Sequence, residues 1–195
     1  MSEPQQAASG QLSQDGQLVW DGQQWRPITS HAWQPTSWTR PMQLATGGYF
    51  IITSLLGLLS SFLLQAQIRE ASLKALQKSN PGMSPENAQQ AVNFSLTFVL
   101  VFGVLFGVLF VILGILSIIR RWSWVFYVDL VLLALSSLGL IGTLLNLGNP
   151  NSPNPAALTA INLVTGVVAL GLFVWMLVAR IQRGVWACTK VPQIA

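Results

Sequence analysis

Charge is what this sequence has least of. Only 8% of its 195 residues are Asp, Glu, Lys or Arg, against roughly 25% in an ordinary soluble domain. That shortage excludes a water-soluble fold with a charged surface. The chain also holds a single histidine, a single cysteine and six carboxylate side chains. Lone Cys188 cannot form an internal disulfide, and no zinc-ligand spacing, phosphate-binding loop or nucleophile–base pair can be written from so few reactive groups. His31 lies outside the apolar runs, which excludes a histidine-ligated pigment within them. No cofactor or metal is expected. The basic residues form no dense patch, so the formal net charge of +4 does not point to nucleic acid.

What the chain has instead is long apolar runs, with 52% of its residues hydrophobic. Uncharged stretches extend from Pro41 to Ile68, Asn87 to Ile119 and Pro150 to Ala179, and a fourth, Trp122 to Gly148, is broken only by Asp129. Each exceeds the roughly 20 residues that an α-helix needs to cross about 30 Å of hydrocarbon. Continuous runs rather than alternation argue against a β-barrel. The expected fold is an all-α integral membrane bundle of two helical hairpins, with spans 44–66, 94–119, 123–147 and 156–179. Residues 1–40 read as a polar segment without a cleavable signal peptide, 67–93 as an extramembrane helical hairpin, and 184–195 as a tail. In the hairpin, Asn80-Pro81-Gly82 supplies a turn, and Ser84-Pro85-Glu86 reads as an N-cap, a first-turn proline and a first-turn acid.

Orientation follows from the basic residues. Arg26, Arg40, Arg120, Arg121, Arg180, Arg183 and Lys190 fall on the side of the termini, and Arg69, Lys74 and Lys78 on the other. The positive-inside rule makes both termini cytoplasmic. Trp38, Trp122, Trp124, Trp175 and Trp186 gather at the same side, as an interfacial belt would.

Phe94, Phe98, Phe102, Phe106 and Phe110 repeat every fourth residue, which drifts roughly 40° per step around a helix of 3.6 residues per turn. The stripe therefore cannot face one flat partner along its length, which favours packing and lipid contact over a ligand or pigment face. Beside it lie Gly103 and Gly107, and the first span offers Thr53, Gly57 and Ser61 at the same spacing. An antiparallel pairing about residues 80–83 sets Gly57 opposite Gly107 and Ser61 opposite Gly103, a seam of small residues that admits close helix approach. The same motif would equally serve a homodimer.

Asp129, the one ionisable residue inside a span, is a functional hypothesis by its position. Pairing the third and fourth spans places it beside Val174 and Trp175, with the Trp175 indole, Arg121 or Arg180 as candidate partners. Ser136 and Thr143 continue its helix face at intervals of seven. The competing readings are a cation or proton path and an acid that pins helix packing. Asn146, Asn162 and Thr165 gather toward the far ends of the last two spans.

In the polar N-terminus, "DGQLVWDGQQWRP" combines two Asp-Gly turns with short alternating stretches that read as a β-hairpin, bringing Trp20 and Trp25 face to face. Over residues 13–28 this segment resembles the Trp-rich "DG...WDG..W.P" module of uncharacterised bacterial multi-pass membrane proteins. The resemblance implies a bacterial origin, hence the plasma membrane, and a cytoplasmic mini-hairpin, and it supplies no catalytic residue. Trp20 and Trp25 are candidate docking residues. Three functions follow from the sequence: a non-enzymatic accessory subunit or scaffold of a membrane assembly, a small oligomeric transporter or pore using Asp129, and a lipid-active enzyme. The expected partners are the bilayer and other membrane subunits or further copies of the chain.

Overall fold

The computed structural model describes residues 10–15, 17–147 and 155–194. The proline-rich loop at 148–154 and the first nine residues lie outside them. Four helices are long and apolar enough to cross a membrane: α1 (Thr39–Leu63), α3 (Pro85–Ile119), α4 (Ser123–Leu145) and α5 (Ala156–Gln182). Pro41 sits in the first turn of α1, where its missing N–H costs no helical hydrogen bond. The helix breaks at Leu64 (φ −100°, ψ 8°) and resumes as α2 (Gln65–Ser79). None of the residues of α2 is buried, and its face carries an exposed Lys74–Glu70 pair at 2.7 Å. Ser84 then caps α3, its hydroxyl oxygen accepting from the Asn87 N–H at 3.3 Å, with Pro85 in the first turn. At 1.5 Å per residue α3 is about 50 Å long, well beyond a hydrocarbon core of about 30 Å. Its first turns pack against α2.

Helix α1 packs chiefly on α3, and α4 on α5. The α1–α3 seam differs from the one expected. A Cβ added at Gly47 would lie 2.5 Å from the Gly114 carbonyl oxygen, and one at Gly114 would lie 2.6 Å from the Gly47 oxygen. One level along, Ser54 Oγ donates to the Gly107 carbonyl at 2.7 Å. Gly107 thus belongs to the seam, but Gly57 and Gly103 have nothing within 4 Å of an added Cβ. The partner of Gly107 is Ser54, three positions before Gly57, so the register is almost one helical turn away from that of an uninterrupted hairpin. Contacts spaced by seven on both helices are those of a left-handed crossing. The GxxxG spacing had suggested intervals of four.

The phenylalanine stripe behaves as its drift requires. Phe94, Phe98, Phe102 and Phe106 point outward, with Phe98 and Phe102 ring centroids 4.2 Å apart. Only Phe110 has rotated inward, where its ring meets Phe50 at 5.9 Å.

The chain ends build a sheet that sequence reading only half anticipated. Strands β1 (Leu18–Trp20), β2 (Trp25–Pro35) and β3 (Cys188–Ile194) form an antiparallel sheet in the order β1-β2-β3. The Asp21-Gly22 turn closes the first pair. Asp21 accepts the Gln23 and Gln24 N–H groups at 2.8 Å each and bridges Arg26 at 2.6 Å, with Gly22 at φ 103°. The Gln24 and Gln23 N–H groups, with Arg26, hold the Asp21 carboxyl below its usual range. Trp20 and Trp25 are paired in register, their rings 5.5 Å apart. The tail is not free. It pairs with β2 from Cys188 against Pro35 outward, so the two ends of the chain are clasped together.

Candidate functional site

The two hairpins meet tightly near the termini and separate further along. The packed half holds Met42, Val125, Phe126, Leu133, Met176 and Ala179, all fully buried. Trp186 belongs to it as well. It was expected in an interfacial belt, but its side chain is wholly buried, edge-on to Phe126 at 5.3 Å, and its indole N–H donates to the Trp122 carbonyl at 3.1 Å. Gly184 (φ 111°) and two left-handed residues, Trp186 (φ 55°) and Ala187 (φ 51°), turn the chain sharply enough after α5 to aim that indole inward. Cys188 follows directly and is buried, with its Sγ 3.9 Å from Thr39 Oγ1.

Asp129 lies in this half with no exposed surface. Its partner is neither Trp175 nor an arginine. Ser117 of α3 lies 2.6 Å from its Oδ2, and Arg180 instead donates to the Tyr127 hydroxyl at 3.1 Å. The correction has a simple cause. Asp129 follows the short Arg120–Trp122 link by only two turns, so the nearest polar group is on the last turns of α3, the helix before the link. The expectation looks to the helix after it and to Arg121 in the link, and not to the helix before. Around the pair, Gln43 donates its side-chain amide to the Ser117 and Arg120 carbonyls at 3.0 and 3.2 Å, and Arg40 donates to the Ile118 carbonyl at 2.7 Å, so α1 satisfies the orphan carbonyls at the end of α3. Ser117 Oγ also lies 2.8 Å from the Leu113 carbonyl. One hydroxyl hydrogen serves one acceptor at a time, so both contacts are hydrogen bonds only when the carboxyl carries a proton. The other carboxyl oxygen, Oδ1, has no hydrogen-bond partner among the described residues.

Beyond Phe50 and Leu133 the helices part into a cleft of about 320 Å³ between α1, α4 and α5, with Phe110 of α3 on its wall. A second cavity of about 220 Å³ shares Tyr49, Ser136, Asn162 and Thr165 with it and reaches Thr143. Thr53, Gly57 and Ser61, expected to pack on α3, line this cleft instead. Ser136 and Thr143 line the same space, one and two heptads beyond sealed Asp129 on the same helix. Among the described residues, no charged side chain lines either cavity, and no cluster of three or more His, Cys, Asp or Glu could hold a metal. Sequence reading had noted most of these hydroxyls singly. The signal that joins them is the heptad face Tyr49, Thr53, Ser60 on α1 set against Ser136 and Thr143 on α4. No family model, curated protein or solved structure was found to match this chain.

Proposed function

We propose that this chain is a non-enzymatic, multi-pass accessory subunit or scaffold of a bacterial plasma-membrane assembly, with both termini cytoplasmic. The observation that carries the reading is the clasped terminal sheet. It joins the two ends of the chain into one surface from which Trp25 and Trp33 project with 41% and 54% of their area exposed. Exposed, rigidly held indoles are anchor groups for protein partners. Cations stand over the tryptophans of this side: Arg183 4.4 Å above Trp38, Lys190 5.2 Å above Trp33 and Arg120 5.6 Å above Trp122. Such pairs suit a headgroup layer of negative potential, in keeping with the positive-inside orientation. The test is extraction in mild detergent followed by identification of copurifying subunits. The double substitution Trp20→Ala, Trp25→Ala is expected to leave membrane insertion intact and to remove the partner. Unchanged copurification would refute the docking role.

A specific feature supports a second reading, a small oligomeric transporter or pore. The cleft ends against a packed layer containing a buried acid, as a half-closed path would. On this reading Asp129→Asn abolishes solute or proton flux in reconstituted vesicles, and a flux that survives the substitution eliminates it.

A further inference from the structure

The hydrogen bonds lining the main cleft are lopsided. Thr53 donates its hydroxyl to the Tyr49 carbonyl at 2.7 Å, Ser54 to Gly107 at 2.7 Å, Ser61 and Ser60 to Gly57 at 2.8 and 3.0 Å, and Thr165 to Ile161 at 2.9 Å. A hydroxyl has one hydrogen and two lone pairs. Each of these five has committed its hydrogen to a backbone carbonyl, so what remains for an occupant is acceptor capacity. Of the other polar side chains on the wall, the Tyr49 and Ser136 hydroxyls and the Asn162 amide supply the donors, three groups against the five acceptors. The inner end of the cleft is aromatic. Tyr49 and Phe50 are edge-to-face at 5.5 Å, and Phe50 meets Phe110 at 5.9 Å.

An anion would find more lone pairs than donors here and no positive charge. A neutral polyol would leave the aromatic wall unused. A group that donates through polarised N–H or C–H bonds and carries positive charge matches both features, because ring faces and oxygen lone pairs attract the same sign of charge. We propose that the cleft is a binding site for an organic ammonium group, seated against Tyr49, Phe50 and Phe110 and ringed by the lone pairs of Thr53, Ser54 and Thr165. A volume of about 320 Å³ accommodates a compact amine or a phospholipid headgroup. The shared chemistry is the ammonium, and the source is either a soluble cation or an ethanolamine lipid. Either occupant is compatible with the accessory and the transport readings, since binding requires neither partner docking nor flux.

The experiment uses the full chain in nanodiscs of pure phosphatidylglycerol, titrated calorimetrically with choline and with its uncharged carbon isostere 3,3-dimethyl-1-butanol. Choline is expected to bind about tenfold or more tightly than the isostere, the scale of one desolvated cation–π contact. Thr53→Val keeps the shape of the side chain and removes an acceptor, and Tyr49→Leu removes a ring face. Each should weaken choline binding several-fold with the unfolding temperature of the ligand-free protein held within a few degrees, while Gly103→Ala, on the outer face, should not. Adding phosphatidylethanolamine to the discs separates the sources: competition with choline identifies a lipid headgroup as occupant, and unchanged affinity identifies a soluble ammonium. Equal affinity for choline and the isostere, no binding by folded protein, or binding indifferent to both cleft variants would overturn the proposal.

Discussion

Replacing Gly114 by valine is expected to separate α1 from α3 and to lower the unfolding temperature in detergent by roughly 5–10 °C. Those degrees correspond to the upper part of the about 1–3 kcal/mol range for overpacking, at about 2–4 °C per kcal/mol for a chain of this length. The reason is geometric. An added Cβ would stand 2.6 Å from the backbone oxygen of Gly47 and 2.8 Å from Ile51 Cγ1, and backbone oxygen cannot rotate aside as a flexible side chain can. Burial of apolar surface from water does not drive helix association inside a bilayer, so lost van der Waals contact is not recovered elsewhere. Gly57→Ala and Gly103→Ala are the matched controls, since both positions open into free space, and they should leave the melting curve unchanged. A seam running through Gly57 and Gly103 would reverse this pattern, making those two substitutions costly and Gly114→Val mild.

The contrast between these glycines marks the limit of what the sequence made legible. Long uncharged runs identified the helices because their length and lack of charge are one-dimensional properties. Ser84-Pro85 placed the start of α3 for the same reason, a cap being a local event. The α1–α3 register was not legible, because it depends on the break at Leu64, and no glycine or proline announces that break. Asp129 stood out as the one ionisable residue inside a span, yet its partner depended on which helix approaches across a three-residue link. The cleft was hidden for a different reason. Serine and threonine in a span ordinarily return their hydrogens to their own helix, and only the divergence of the hairpins turns their remaining lone pairs into a common lining. The β3 strand was missed because its sequence, "CTKVPQI", contains a proline and reads as a tail. It pairs with β2 directly after buried Trp186.

That residue gives the second large effect. Trp186→Ala is expected to unfasten the terminal clasp, at a cost of about 3–5 kcal/mol for truncating a fully buried aromatic side chain. The native backbone at Trp186 and Ala187 occupies the left-handed region, which costs non-glycine residues of order 1–3 kcal/mol each. It persists because burial against Phe126 and the indole bond to the Trp122 carbonyl outweigh it. Without the indole, nothing opposes relaxation of residues 186–187 toward ordinary φ, and the carbonyl of Ala187 then leaves the Thr36 hydroxyl that donates to it at 2.8 Å. The loss should propagate along β3 rather than into the helices, since among the described residues β3 pairs with β2 alone, whereas α4 and α5 pack on each other. Hydrogen–deuterium exchange read by mass spectrometry should therefore show the amides of residues 188–191, and their partners 32–35, exchanging orders of magnitude faster in the variant, with α4 and α5 little changed. The β1–β2 hairpin carries its own Asp21 turn and Trp20–Trp25 contact, so its protection should fall less. Equal protection of 188–191 in both proteins would mean that strand pairing alone holds the tail. The strained pair at 186–187 would then be a consequence of the clasp rather than the device that closes it.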